Sequence, residues 1–149
     1  MEIRLPKDMA LQQWFEHAVH DYEIPVAETG SIAVPVPLDR FLPAYPHTAV
    51  PEDTVYPWLT YEAAFGALDD GDIPVFVNLW FYTQSEAIPN AAARELSARI
   101  GRGGARIPCA EGYIWLKRDT PFVQSVRDDA DPFIKRRYIR VMAEFFTLN

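Results

Sequence analysis

Two histidines, His17 and His20, lie three residues apart in a segment with helical periodicity, beside Glu16 and Asp21. On a helix this spacing brings two imidazoles onto adjacent turns, where they could bind a metal ion such as zinc. A third ligand is not evident, because His47 lies in a proline-rich segment with no neighbour that completes the set. The histidines are therefore interpreted as surface or half-buried side chains, and no metal is expected.

The other reactive side chains form no catalytic constellation. Cys109 is the single cysteine, has no base beside it in the sequence, and is interpreted as a small hydrophobic residue. The glycine-rich segment 101–106 (GRGGAR) lacks the ending of a phosphate-binding loop. Two acidic runs lack the spacing of a calcium-binding loop: Asp69, Asp70 and Asp72, and Asp128, Asp129 and Asp131. We therefore expect a protein that is not an enzyme and needs no cofactor.

The composition is that of a chain that folds as a single domain over residues 1–149. It is 49% hydrophobic and 23% charged, and at this length about 70% of the unfolded chain's surface can be buried. No apolar run reaches the roughly 18 residues needed to cross a bilayer, so no membrane partner is expected. A net charge of −7 argues against a protein that binds nucleic acid through phosphate contacts.

Charge is distributed unevenly along the chain. Residues 1–90 contain 3 basic and 14 acidic residues, and residues 91–149 contain 11 basic and 7 acidic residues. The net charges of the two parts are therefore −11 and +4. Two interpretations stay open: acidic and basic surfaces of identical subunits dock head to tail, or the two parts neutralise each other within one small domain.

Two helices are predicted from hydrophobic periodicity. The first spans residues 7–22 with Asp8 as its N-cap, and the second spans residues 85–100 and ends at Gly101. Between them, seven prolines in residues 25–57 exclude a long helix. This segment is too apolar for a solvated linker. It is predicted to be an extended arm pressed onto its own domain or a neighbouring subunit, with an edge strand at 31–38.

The remaining segments, in residues 55–149, predict a sheet. Residues 55–63 and 73–82 are expected to pair as antiparallel strands through a turn at 68–72, and further strands are expected at 112–118 and 134–147. Strand 73–82 is apolar on both faces, which is typical of a central strand covered on two sides. The predicted fold is α+β: a mostly antiparallel β-sheet flanked by two helices, with a proline-rich extended arm.

The succession of segments from Tyr56 onward is itself characteristic. It consists of YPWLTYE (56–62), VFVNLWFY (75–82), a helix, a glycine-containing turn, GYIWLKRDTPF (112–122) and IKRRYIRVMAEFF (134–146). In this pattern the chain resembles the tail terminator, or tail completion, proteins of long-tailed bacteriophages and related phage-like particles. The resemblance covers about 90 of the 149 residues and leaves out the proline-rich arm.

The resemblance implies a virion protein that assembles in the host cytoplasm as a hexameric ring, caps the tail tube and offers the surface that joins the head connector. DNA would pass through the lumen without specific binding. Within such a ring, basic and acidic residues are expected to meet at the subunit interface: Lys135, Arg136, Arg137 and Arg140, facing Asp69, Asp70 and Asp72. Arg102 and Arg106 are the expected contacts to the tube or a neighbouring protein.

Two alternatives from other classes stay open. A head-side neck or adaptor protein of the same connector would share this size and acidity, but its rings are typically twelvefold. A small acidic inhibitor-type protein would stay monomeric or dimeric and bury about 1,600 Å² against one partner. The oligomeric state distinguishes the three classes.

Overall fold

The computed structural model describes residues 4–18, 23–29, 32–37, 43–46, 50–52, 54, 56–128 and 130–148. Within these residues, ten elements follow in chain order: α1 (Lys7–His17), β1 (Glu23–Thr29), β2 (Ile32–Pro37), β3 (Ala44–Pro46), β4 (Trp58–Ala63), β5 (Asp72–Tyr82), α2 (Ala87–Ile100), β6 (Ala105–Cys109), β7 (Gly112–Arg127) and β8 (Ile134–Thr147).

Six of the strands form one sheet in the order β3-β4-β5-β8-β7-β6, antiparallel except for the parallel pair β3–β4. β1 and β2 form a separate antiparallel pair, and β1 lies against α2. The prediction of an α+β fold with a mostly antiparallel sheet and two helices is confirmed.

Both helices lie on the same side of the six-stranded sheet. Alternate residues of the central strands β5 and β8 point to this side and are buried, and α1 and α2 contribute the other half of the core. The two edge strands, β3 and β6, both contact α1, so the sheet curls around this helix. The buried residues that form the centre of the core are Leu11, Phe15, Val75, Val77, Leu79, Ile88, Ala92, Leu96, Ile139, Val141 and Phe145.

The helix predictions hold in part. α2 ends at Gly101, which has φ +76° as expected of a C-terminal glycine. α1 starts at Lys7 but ends at His17, and residues 19–22 of the predicted helix lie outside the described residues. Asp8 is not the N-cap: Pro6 occupies that position, and Asp8 lies in the first turn, where its charge favours the helix dipole. No helix in the described part of the chain is long and apolar enough to span a bilayer.

Three strand predictions are confirmed: the antiparallel pair β4–β5, the positive φ of Gly71 in the turn between them, and β8 at residues 134–147. β5 is central, as predicted, but it is not covered on both faces. Phe76 and Trp80 are only half-buried and Tyr82 is 54% exposed, because no helix covers that side.

Two features of the second half of the sheet were missed. β6 occupies part of the predicted turn at 101–106, and β7 continues to Arg127, nine residues beyond the predicted end. Pro121 and the polar residues around it break the alternating pattern there. The structure accommodates them through a register shift between Arg118 and Val123, in a part of β7 that pairs with β8 on one side and has no described strand on the other.

The proline-rich segment is described only in part, since residues 30–31, 38–42, 47–49, 53 and 55 lie outside the described residues. A strand is found at Ile32–Pro37 and another at Ala44–Pro46. Pro25 lies opposite Pro35 in the β1–β2 pair. Neither has an N–H group, so this position contributes no hydrogen bond between the two residues. Docking of the arm on a neighbouring subunit stays a prediction.

Tyr61 of β4 is buried on the helix side, with its ring 5.3 Å from that of Phe15. Burial raises the pKa of its phenol from 10.0 to about 12, and the carboxylates of Asp8 and Glu16 act in the same direction. Because the folded pKa lies above the unfolded one, the stability that the neutral phenol contributes is complete below pH 10 and is lost as the pH rises to about 12.

We therefore expect Tyr61→Phe to remove part of the alkaline loss of stability. The free energy of unfolding of the native protein and of the variant, measured by denaturant titration at several pH values from neutral to about 12, should diverge least near neutrality. Above pH 10, the free energy of unfolding of the native protein should fall more steeply than that of the variant. Parallel pH profiles for the two proteins would contradict the burial of this phenol.

Candidate functional site

The sheet face opposite the helices is a large surface that neither helix covers, and we term it the open face. Strand alternation places on it, among others, Trp58, Thr60 and Glu62 of β4, Asp72, Phe76, Asn78, Trp80 and Tyr82 of β5, Arg136, Tyr138, Arg140, Met142, Glu144 and Phe146 of β8, and Tyr113, Trp115 and Lys117 of β7. Most of them are half-buried by their neighbours alone.

Tryptophan side chains line a groove at the β4–β5 side of the open face. Trp58 lies opposite Trp80 in the strand register, and the ring of Tyr56 stacks on Trp58 at 4.0 Å. The indole Nε1 of Trp80 donates to Thr60 Oγ1 at 2.9 Å. The guanidinium of Arg136 lies 5.1 Å from the Trp80 ring, a cation–π contact. The groove has a volume of about 330 Å³.

Stacked pairs continue across the open face. Phe76 stacks on Tyr138 at 5.9 Å, between the neighbouring strands β5 and β8. Tyr113 of β7 stacks on Phe146 of β8 at 4.8 Å, and the Arg106 guanidinium lies 4.4 Å from the Tyr113 ring. Arg106 is therefore on β6 and packs against an aromatic ring, not in the turn where it was predicted. These pairs hold large planar side chains in fixed positions on an accessible surface.

Four charged side chains of the open face, Lys117, Asp72, Glu144 and Arg140, form ion pairs within the chain. Lys117 Nζ lies 2.7 Å from Asp72 Oδ1 and 3.9 Å from Glu144 Oε2. Arg140 lies 3.2 Å from an oxygen of Asp119. These pairs are at least partly exposed, so each contributes at most about 1 kcal/mol to stability. Asp72 and Arg140 thus have partners in their own chain and contribute less to a contact between subunits than their charges indicate.

A cavity of about 550 Å³ lies at the end of the sheet where β5 ends and β8 begins, beside the start of α2, and we term it the basic pocket. Its lining consists of Glu86, Ser125, Val126, Arg127, Asp128, Pro132, Ile134, Lys135 and Arg137. Arg137 is buried, at 3% exposure, and donates to Glu86 Oε2 and, at 3.0 Å, to Asn90 Oδ1. Lys135 Nζ lies 3.8 Å from Glu86 Oε1.

The four basic residues of β8 were predicted to act together, but alternation along the strand separates them. The side chains of Lys135 and Arg137 point to the helix side of the sheet and line the basic pocket, whereas those of Arg136 and Arg140 belong to the open face. Arg137 is enclosed by its own chain, so it is not available for the exposed interface in which it was predicted. No finding tests the other residues of that interface.

The turn between β4 and β5, residues 64–71, lies at the opposite end of the sheet, and we term it the hairpin tip. Phe65 and Leu68 are 39% and 54% exposed, and Asp69 and Asp70 are exposed beside them. Asp70 Oδ2 accepts a hydrogen bond of 2.9 Å from the Ala67 N–H, which stabilises the turn. Arg102, the other predicted docking residue, is exposed in the turn that follows α2.

Among the residues that the structure describes, those considered for metal binding or catalysis do not converge. The described part of the chain contains no group of three His, Cys, Asp or Glu side chains that could hold a metal ion. His17 Nδ1 lies 2.8 Å from the Gln13 carbonyl, and His20 and His47 lie outside the described residues. Cys109 is fully buried.

The second acidic run, between β7 and β8, stabilises its own loop. Asp128 Oδ1 accepts hydrogen bonds from the Ala130 and Asp131 N–H groups. The negative charge of Asp131 is also the main cause of a raised pKa at Tyr82, and burial followed by Asp131 raises the pKa of Tyr56. Asp128 therefore stabilises the loop between β7 and β8, and Asp131 lies in the same loop beside an aromatic group.

Comparisons of the chain with protein-family models, with curated protein sequences and with solved structures find no match. The open face, the basic pocket and the hairpin tip are thus described from this chain alone. The charged residues were predicted from the sequence to be functional, whereas the open face was not predicted, although a pattern of aromatic residues indicates it. Aromatic residues alternate at positions 56–58, 76–82 and 113–115, which places them on one face of the sheet. Whether that face is covered depends on where the helices lie.

Proposed function

We propose that this protein is a structural subunit of a tailed bacteriophage or related particle, a tail terminator that forms a ring on the end of the tail tube. The observation that carries the proposal is the open face: a six-stranded sheet with helices on one side and half-exposed aromatic and arginine side chains on the other. Tyr, Trp, Phe and Arg are enriched in the buried centres of protein interfaces, and large exposed patches of this kind mark binding surfaces.

The resemblance to tail terminators supports the same proposal. Its segments correspond to β4, β5, α2, β7 and β8, and the four strands are consecutive neighbours in the sheet. The characteristic stretch 115–122 supplies Trp115 and Lys117 to the open face. The segments that carry the resemblance therefore form one continuous part of the sheet.

In this proposal the protein binds copies of itself, most simply as a homohexamer, together with the tail tube protein and the head connector. It acts in the neck of the virion and has no catalytic role. DNA is cargo, because a ring of subunits with net charge −7 each supplies no excess of cations to neutralise phosphates.

The mass of the purified protein tests the proposal first. Light scattering coupled to size exclusion should give a mass near six times 17.0 kDa at low salt. A twelvefold mass would instead indicate the head-side adaptor. A monomer or dimer that also leaves tubes uncapped would indicate the inhibitor-type binding protein.

Capping of tail tubes tests the role of the open face. Tubes purified from the phage or prophage that encodes the chain should stop growing when the native protein is added, as measured by their lengths in electron micrographs. Tyr138→Lys, at the centre of the open face, should abolish capping, whereas Ala98→Lys, on the exposed side of α2, should retain it. Equal capping by the two folded variants would remove the open face from the proposal.

A further inference from the structure

The hairpin tip and the basic pocket lie at opposite ends of the sheet. β5 begins beside the hairpin tip, where Asp72 pairs with Glu144, and ends beside the basic pocket, where Tyr82 pairs with Ile134. Eleven residues in a strand span about 33 Å. The two surfaces therefore cannot meet within one chain, but they can meet between copies.

The hairpin tip presents apolar and acidic groups together. Leu68 is 54% exposed and is followed in the sequence by the exposed residues Asp69 and Asp70. Phe65 is 39% exposed, and its ring packs edge-on against that of Phe145 at 5.8 Å. Asp70 is engaged in the turn through the Ala67 N–H. Asp69 makes no ion pair within the described ranges. An exposed apolar side chain flanked by carboxylates fits a cavity that offers both apolar walls and cations.

The basic pocket offers such a cavity. Val126, Pro132 and Ile134 supply apolar surface. The Glu86 carboxylate is occupied by Arg137 and Lys135, and Asp128 is occupied by loop N–H groups. Arg127 is exposed and has no ion pair among the described residues. A volume of about 550 Å³ lies within the range of sites that hold a bound group.

We propose that the hairpin tip of one copy docks in the basic pocket of the next copy, with Leu68 inserted and Asp69 beside Arg127. The partner is thus a second copy of this chain. Because the two surfaces differ and lie at opposite ends, the contact is heterologous and repeats head to tail, as ring formation requires. The inference deepens the proposed function and rests on it for closure into a ring, but the contact itself can be tested separately.

Cysteine cross-linking tests the contact. The single variants Leu68→Cys and Ser125→Cys are mixed under mild oxidation, and native Cys109 does not interfere because it is fully buried. A disulfide-linked heterodimer should form rapidly. A chain that carries both substitutions should give a ladder of covalent multimers. Ala98→Cys, exposed on α2, replaces Ser125→Cys as the matched control and should give little heterodimer.

Charge reversal distinguishes a specific contact from cross-linking by random collision. Arg127→Glu in the Ser125→Cys component should lower the rate of cross-linking about tenfold, the loss of one charge-assisted contact. Asp69→Lys in the Leu68→Cys component should restore it. Equal cross-linking at Ser125→Cys and Ala98→Cys, or no rescue by the second reversal, would overturn the contact.

The outcome separates this contact from the proposed function. A specific heterodimer from a protein that does not cap tubes would leave the head-to-tail contact in place and remove the terminator role. Capping by the native protein without the specific heterodimer would retain the terminator role and overturn this contact.

Discussion

Replacing Gly112 with alanine is expected to lower the free energy of unfolding by about 3 kcal/mol or more. Gly112 starts β7 with φ +149°, a conformation that other residues rarely adopt. A Cβ atom there would lie 1.9 Å from the carbonyl oxygen of Phe146 in β8. The oxygen belongs to the backbone of a central strand, so relief requires β7 and β8 to move apart and disturbs the pairing of Gly112 with Thr147.

Gly103→Ala is the matched control, because a Cβ atom at Gly103 would have no neighbour within 4 Å. Its free energy of unfolding should stay within about 0.5 kcal/mol of the native value. Denaturant titration followed by tryptophan fluorescence measures both variants. Equal stability of the two would contradict the close approach of the β6–β7 turn to β8.

The second large effect concerns the ion pair formed by Glu86 and Arg137. We expect removal of the Glu86 carboxylate to lower the free energy of unfolding more than removal of the Arg137 guanidinium. Arg137 is 3% exposed, whereas the side chain of Glu86 is 62% exposed. Glu86→Ala leaves a buried guanidinium without its carboxylate and is expected to cost about 3 kcal/mol. Arg137→Met is expected to cost less, because the Glu86 carboxylate that remains is solvated and methionine fills part of the space.

The double variant Glu86→Ala/Arg137→Met should be more stable than Glu86→Ala alone, because it no longer contains a buried guanidinium without its carboxylate. Denaturant titration of the native protein, both single variants and the double variant gives the four free energies of unfolding of a double-mutant cycle. Asp69→Ala, an exposed carboxylate of the hairpin tip, serves as the control and should change stability by no more than about 0.5 kcal/mol. Additive effects of the two single changes would contradict the pairing.

This pair also determines which residues are useful probes of assembly. Reversing the charge of Arg137 would destabilise the monomer, so a loss of assembly in that variant would say nothing about an interface. Arg127 is exposed and is the better probe of the basic pocket, and Tyr138 is the better probe of the open face.

The amino-acid sequence by itself determined the features that depend on neighbouring residues. The alternation in β8, the end of α2 at Gly101 and the turn with Gly71 were predicted correctly, because strand period and positive φ are local properties. The separation of Lys135 and Arg137 from Arg136 and Arg140 follows from the same alternation. It was missed because the four residues were grouped by charge and not by strand face.

Only the tertiary structure decided which faces were covered and which charges met. β5 is apolar on both sides, and its pattern does not show that both helices pack on the same side and leave an open face of aromatic residues. The partners Arg137 and Glu86 are 51 residues apart, so their pairing depends on β8 lying next to β5 and below the start of α2. β7 continues beyond Pro121 because β8 supplies pairing partners on both sides of the register shift between Arg118 and Val123, which no local propensity encodes.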